Sequence, residues 1–472
     1  MRLRIIRIGV FAWAGLVASC ALRETSPEPP ALPAAFEQFS DNGASRPSRD
    51  WYAGFGSAEL QLLITQAAND NLDLAMARAR VTQADARARQ AGAAILPNID
   101  AGGNGNYLAG HSANGSAHET DWAALLSASY EVDFWGKNRA IARSAGQLAD
   151  ASRADRDTVE LTTLAGVANE YFQVLSLRDR SAIAAENLAA AQKLLNVVQA
   201  RFDVGLSNPV ELATQKAILA AAGLVIPQLK QQEDEAVAAI ALLVGRVPEH
   251  FSVAGTSFDS LLEPPVGSGL PSELLTRRPD VFMAEAKLRS ANADLVAARA
   301  ALFPSFSLTA AGGLQNPALN AAVITLSGVG PTLNLGASIS QSIFDGGRLR
   351  ALRAEAQAKD DELLAAYRSA ILAALVDVEN ALAALRHLED ARALQEENLV
   401  QSRRAFEGAT LRYQAGSGDF LTVLEAQRTL FAAHDQYSQY KLARFQALVA
   451  LCKALGGGWQ APSLVASKKD SP

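Results

Sequence analysis

The sequence predicts a mixed fold made by internal duplication, in which four β-strands of membrane-barrel type alternate with very long, coiled α-helices. Three observations lead there. At Arg201–Gly205 (RFDVG) and at Arg412–Gly416 (RYQAG) a long apolar-periodic helix breaks at a glycine and soon restarts, the second time behind Gly418 and Asp419, an acceptable N-cap. After Pro97 and again after Pro304 the pattern switches from helical spacing to strict alternation. Behind each alternating pair comes another long helical run. Two matched helix tips with matched surroundings mean two copies of one unit.

Composition bounds the rest. The 472 residues are 49% hydrophobic, 6% aromatic and 19% charged, with a formal net charge of -6. That length could hold several domains, but the repeat argues for one architecture built twice. A mildly acidic balance gives no basic footprint for nucleic acid.

Residues 1–19 have the form of a secretory signal. Arg2, Arg4 and Arg7 make a positive start, Ile8 to Val17 an apolar core too short to span a bilayer, and Val17, Ala18 and Ser19 lead into Cys20. The run VASC resembles the lipobox of bacterial lipoproteins, where the chain is cut before the cysteine and that cysteine takes the lipid. Plain cleavage nearby, or a membrane anchor, are the other readings of such a segment. The resemblance implies acylation at Cys20, with each buried CH₂ contributing about 0.8 kcal/mol of membrane attachment. Ala21, rather than Asp, implies export onward to the outer membrane. The second cysteine, Cys452, is then left without a disulfide partner and reads as a packing residue.

Residues 20–50, rich in Pro, Ser and Ala, read as the lipidated N-terminus and an extended linker. The first repeat spans residues 51–245. It opens with WYAGFG at Trp51, a short helix near Ala58 to Ala68 and a longer one from Asn71 to Ala94, stopped by Pro97. Asn98 to Tyr107 is polar and glycine-rich and reads as extended. A loop is expected over Leu108 to Asp121. From Trp122 to Phe134 apolar residues alternate with mostly polar ones, which predicts a strand. A helix then runs from Lys137 to Phe202, and a shorter one returns over Val210 to Val244.

Residues 246–270 form a proline-containing connector, and the second repeat occupies 271–456. Phe306, Leu308 and Ala310 alternate with Ser305, Ser307 and Thr309. Leu333, Leu335, Ala337, Ile339 and Ile343 alternate with small polar residues. A strand of about twelve residues rises roughly 40 Å, enough to cross a bilayer core when tilted. One edge of a soluble sandwich would give the same alternation; the export signal and the flanking helices favour the membrane. Four strands cannot close a barrel, for which about eight is the smallest workable number, so a membrane reading requires several chains. The second long helix, Arg348 to Tyr413, places Ile371, Leu375, Val378, Leu382 and Leu385 at alternating steps of four and three, the period of left-handed coiled packing. A return helix covers Phe420 to Leu455, and residues 457–472 form a tail.

WYAGFGSAEL at Trp51, LPSELLTRRPDV at Leu270, RYQAGSGDFLTVLEAQR at Arg412 and KALGGGW at Lys453 together resemble the outer membrane factor family, the TolC-like proteins, and within it the lipid-anchored OprM and NodT branch. The resemblance covers essentially the whole mature chain. It implies a trimer, with four strands from each chain in a membrane β-barrel and the long helices in an α-helical barrel through the periplasm. It further implies a passive, gated exit duct of a tripartite pump for drugs and other small toxic compounds. The partners would be a periplasmic adaptor and an inner-membrane transporter of the resistance-nodulation-division type, with outer membrane lipids around the barrel. A duct for type I protein or peptide secretion shares this fold, and a structural or adhesive surface protein could use the helices as spacers.

Residue by residue, the resemblance places a periplasmic gate at Leu421, Glu425 and Arg428, a pattern at helical spacing that can share one face. Glu425 departs from the aspartate usual in such relatives. The glycines of the tips, Gly205, Gly416 and Gly418, mark where an adaptor would dock. No catalytic role is expected: His111, His118, His250, His387 and His434 form no metal-binding pattern, and neither a phosphate-binding loop nor a dinucleotide fingerprint occurs. No cofactor is implied.

Overall fold

A computed structural model describes residues 33, 35–36, 47–112, 115–267, 269, 271–315 and 330–461. The expected signal peptide, Cys20 and most of the linker and tail lie outside the described residues. The first half runs from a short 3₁₀ turn (Trp51–Phe55) through α1 (Ala58–Asp70), α2 (Leu72–Ala93), β1 (Asn98–Ser112), β2 (Gly115–Val132), α3 (Lys137–Asp203) and α4 (Pro209–Leu243). The second half, after single turns between Phe258 and Arg277, contains α5 (Pro279–Ala300), β3 (Ser305–Gln315), β4 (Gly330–Ser340), α6 (Arg348–Gln414) and α7 (Phe420–Ala454). The halves match in length: α3 and α6 have 67 residues each, α4 and α7 have 35 each.

Two compact units cut across these halves. One contains Arg80–Ser152 and Ala284–Tyr367; the other contains Pro29–Ala79, Arg153–Met283 and Arg368–Pro472. The first unit holds an antiparallel sheet in the order β1-β2-β3-β4. Its register keeps side-chain parity across all four strands, pairing Ile99 with Ala128, Ala128 with Ala310 and Ala310 with Leu335. Because successive residues of a strand point to opposite faces, this register collects Leu126, Tyr130, Val132, Phe306, Leu308, Leu335 and Ile339 on one face. Ser127, Ser129, Ser307, Thr309, Asn334 and Ser338 share the other. The apolar face is exposed, a poor arrangement in water and a suitable one in lipid.

Two strand limits differ from expectation. The loop expected over Leu108 to Asp121 is instead mostly ladder, with pairing continuing from Tyr107↔Thr120 to Ser112↔Gly115. Ladder bonds join backbone groups, so a glycine-rich strand pairs without announcing itself through alternation. At the other end β4 stops at Ser340, leaving Ile343 beyond it at 96% exposure. A turn follows through Gly346 and Gly347, both with positive φ.

The helical unit has an aromatic centre. Phe55, Phe172, Phe258 and Phe445 meet with ring centroids 5.0 to 6.4 Å apart, surrounded by Trp51, Leu60, Leu175, Ile240 and Leu448. Ile371 and Val378 of the coiled pattern are buried. Buried Arg278, just before α5, ties that helix to α6 and to the end of α7. Its guanidinium donates to Asp280 and Asp377 at 2.6 and 3.0 Å and to the Ala454 carbonyl at 3.3 Å. Helix α7 can end against it because of Gly456, whose φ is +85° and where a Cβ would stand 1.9 Å from the Arg277 carbonyl oxygen. Gly456→Ala is therefore expected to lower stability by about 1–3 kcal/mol, read as a lower midpoint in thermal denaturation of the purified protein. An unchanged midpoint would mean that the C-terminal turn is not coupled to global unfolding.

Candidate functional site at the helix tips

The ends of α3 and α6 leave carbonyls that the helices cannot satisfy, and both resolve this the same way. Gly205 (φ +73°) and Gly416 (φ +74°) take the left-handed conformation. Leu206 N–H then donates to the Arg201 carbonyl at 2.8 Å, and Ser417 N–H to the Arg412 carbonyl at 3.0 Å. With the bonds of shorter sequence span from Gly205 to Phe202 and from Gly416 to Tyr413, each end is a Schellman motif. Gly418 has a different reason to be small: a Cβ there would lie 3.0 Å from Cβ of Arg412. The return helices start behind matched caps, Asn208 accepting from Glu211 N–H at 3.0 Å and Asp419 from Thr422 N–H at 2.8 Å. Those bonds also hold the Asp419 carboxyl below the usual carboxylate range.

The tips are joined to each other. Leu194, Val198, Tyr413, Phe420, Val423 and Leu424 form a small buried cluster. Arg201 of the first tip donates to the Tyr413 carbonyl at 2.7 Å, and its guanidinium lies 4.5 Å from the Tyr413 ring centroid. Tyr413 in turn donates from its hydroxyl to Glu211 at 3.2 Å, and Ser207 donates to the same oxygen at 2.6 Å. Burial and the Glu211 carboxylate raise the Tyr413 hydroxyl above its ordinary value, so it remains a donor. The sequence puts Arg201 opposite Arg412 and Phe202 opposite Tyr413 in the two matched tips, but nothing in it pairs Arg201 with Tyr413.

On α7, Phe420, Val423, Leu424, Gln427 and Leu430 are buried, and the opposite stripe is bare. Leu421, 63% exposed, Glu425 and Arg428 all lie on that stripe, the two charges 3.9 Å apart. In a single chain this exposed pair contributes at most about 1 kcal/mol. Behind the stripe the buried face is unusually polar. Gln427 is fully buried with neither amide atom paired, and His434, seven residues on, meets Arg403 at 3.2 Å through Nε2 while Nδ1 has no partner. Burial and then Arg403 push the His434 imidazole below its usual range, against a weaker pull from Glu186. Cys452 is buried and free, its thiol pushed up to about 12 by burial, which suits packing and not reactivity. Among the described residues no cluster of metal-ligating side chains occurs.

A two-faced sheet with lipid-suited residues outward, joined to long coiled helices that end in capped tips, defines an outer membrane channel with a periplasmic extension. The family model described as outer membrane efflux protein matches residues 63–246 and 270–457, and the chain belongs to this family. The pyoverdine export outer membrane protein OpmQ of Pseudomonas aeruginosa is 45% identical over 431 residues, covering 89% of this chain and 90% of that protein. The toluene efflux pump outer membrane protein TtgF of Pseudomonas putida is 31% identical, covering 88% of each. Among solved structures, the outer-membrane channel OprN superposes with a TM-score of 0.85 at 27% identity, over 93% of this chain and 100% of that one. The protein is thus a passive outer membrane efflux channel and not an enzyme, the exit duct of a tripartite efflux pump.

Two outcomes follow from the tips. Arg201→Ala removes a charge-assisted hydrogen bond and a cation–π contact, so amide exchange near Tyr413 and Phe420 should quicken about tenfold or more; unchanged exchange would show that the cross-tip link holds nothing. His434 is neutral in the fold and its folded pKa is depressed, so its contribution is complete above its unfolded value near 6.5 and is lost as pH falls through the lower, folded value. Between about pH 7 and 5 the wild-type thermal midpoint should therefore fall more steeply than that of His434→Gln. Parallel slopes would exclude the residue.

Proposed function

We propose that three copies assemble into one duct and that the second tip closes its periplasmic end. The observation that carries this reading is the sheet: β1 and β4 each pair on one side only, and four strands cannot close. Three copies give twelve strands, with each β4 edge meeting a neighbour's β1. Exposed apolar residues along α4, among them Val210, Leu224 and Leu242, supply surface for the same assembly. The helical stretch Pro209–Leu243 is long and apolar enough to cross a membrane by length and composition, yet it carries Pro227 in its interior and both its ends are built into the helical unit. Its apolarity is better used between chains.

In that trimer Leu421 would narrow the bore, with Glu425 and Arg428 pairing within or between chains. The tips around Gly205, Gly416 and Gly418 would present the surface for a periplasmic adaptor, and an inner-membrane transporter of the resistance-nodulation-division type would supply the energy. Cys20 would carry the lipid, after removal of residues 1–19, with residues 20–50 as tether. Residues 51–245 and 271–456 would be the two structural repeats, joined by 246–270 at the waist and followed by the tail 457–472. Drugs and other small toxic compounds are the preferred cargo. Export of a pyoverdine-like product is the second reading, favoured by the 45% identity to OpmQ.

Glu425→Ala and Arg428→Ala are expected to raise resting conductance in planar bilayers and to sensitise cells to a bulky antibiotic. Wild-type values in both assays would remove the gate from these residues. For cargo, the chain is expressed in Pseudomonas aeruginosa lacking OpmQ. Pyoverdine restored to the medium supports the second reading, and restored drug tolerance alone supports the first.

A further inference from the structure

The strand ends carry a feature that neither the barrel nor the gate uses. All four strand–helix junctions lie at one end of the sheet, because β1 begins at Asn98, β2 ends at Val132, β3 begins at Ser305 and β4 ends at Ser340. Large apolar side chains are exposed there: Phe134, Phe303, Ile343 and Phe344, the last at 91%. Trp135 stacks on Phe303 at 4.7 Å and donates from Nε1 to the Pro304 carbonyl at 2.7 Å. Between these rings and the start of α6 is a cavity of ≈ 280 Å³ with Phe134, Trp135, Lys137, Phe303, Ser342 and Arg348 among its walls.

Beside the apolar row lie both acids and a cluster of arginines. Arg348, Arg350 and Arg353 stand exposed on the first two turns of α6, and none has an acidic side chain within ion-pair distance among the described residues. The nearby acids are mostly engaged by backbone groups and other cations, although Asp345 also attracts Arg348 electrostatically. Asp345 accepts from Gly347 N–H and Leu349 N–H, and Asp133 from Asn138 N–H, Arg139 N–H and the Arg139 guanidinium; Lys137 is paired with Glu131. The helix starts are therefore already capped, and cations in the first turns oppose the helix dipole instead of serving it. Three surplus arginines at an energetically unhelpful place, next to aromatic side chains at the end of membrane strands, match the chemistry of a bilayer interface.

We propose that this junction is a binding collar for anionic phospholipid, in which Arg348, Arg350 and Arg353 engage headgroup phosphates of the periplasm-facing leaflet while Phe134, Ile343 and Phe344 enter the acyl boundary. The inference rests on the outer membrane location of the sheet and adds a lipid class to it. Phosphate is matched by guanidinium forks, and each arginine near an anionic surface favours it by about fivefold.

The full-length protein is reconstituted into phosphatidylethanolamine vesicles containing a minor fraction of phosphatidylglycerol, extracted with its surrounding lipid in polymer discs, and the disc lipids are quantified by mass spectrometry. Wild-type discs should be enriched in phosphatidylglycerol about fivefold or more over the bulk, with the enrichment falling as salt rises. The triple variant Arg348→Gln, Arg350→Gln, Arg353→Gln should return to the bulk ratio, while the corresponding triple Arg→Lys variant keeps most of the enrichment. Should the triple Gln variant fail to assemble, Arg350→Gln alone should show a partial loss. No enrichment in the wild type, or equal enrichment in the Gln variants, overturns the collar. A changed ion selectivity with unchanged lipid composition also overturns it, by placing the arginines in the bore. Failure of the wild type to insert at all would instead strike the membrane reading on which the collar depends.

Discussion

Within hydrocarbon a backbone N–H or C=O has no water to fall back on, and every other feature of the strand-bearing unit follows from that. Three ladders satisfy the inner strands and hold one register, and a slip of a single residue would turn Leu335 and Ile339 inward and Asn334 and Ser338 into lipid. Gly313 belongs to the same constraint: an added Cβ would lie 2.1 Å from the Ala124 carbonyl oxygen, so β2 and β3 approach at a distance only glycine allows. What the ladders leave open are the outer edges of β1 and β4. Closing them with further copies meets that demand without irregular backbone in lipid, and this is the physical basis of the oligomer proposed above.

Outside the membrane the same accounting has a different answer. Each long helix ends with carbonyls that water could satisfy, yet both use the Schellman turn and a capped restart, which fixes the direction of the returning chain. The tips then diverge. Three residues after its cap the first has Glu211, which takes bonds from Ser207 and Tyr413 and is consumed within the chain. At the same offset the second has Thr422, and its charges come later, at Glu425 and Arg428, on a stripe that nothing in the chain covers. One shape repeated with two charge placements lets one tip act as a support and leaves the other's charges on a bare stripe.

The helices were legible almost to the residue, since glycine, proline and an N-cap punctuate a long apolar period: Lys137, Arg348 and Phe420 are all where helices begin. The strands were legible where side chains alternate and illegible where glycine and serine pair through backbone alone, from Leu108 to Asp121. The stripe of Leu421, Glu425 and Arg428 came from resemblance, and spacing alone would not have separated it from an ordinary solvated face. The link from Arg201 through Tyr413 to Glu211 joins residues more than two hundred positions apart and has no signature in either segment. A weaker signal was present for the polar seam: Gln427 and His434 fall seven residues apart on the face that Val423 and Leu430 make apolar, and polar side chains at core spacing mark places where packing is not finished within hydrocarbon alone.

The polar face of the sheet bears on selectivity. It is lined by Ser127, Ser129, Ser307, Thr309, Asn334 and Ser338, short hydroxyls and an amide that offer hydrogen bonds to almost any solute and a deep pocket to none. A conduit that bound its cargo tightly would hold it, since residence grows with affinity while passage needs release. Weak, generic lining is therefore what an exit duct requires, and it also explains how relatives named for pyoverdine and toluene can share one architecture. Discrimination must therefore be exercised before the solute reaches this chain, by the component that loads it.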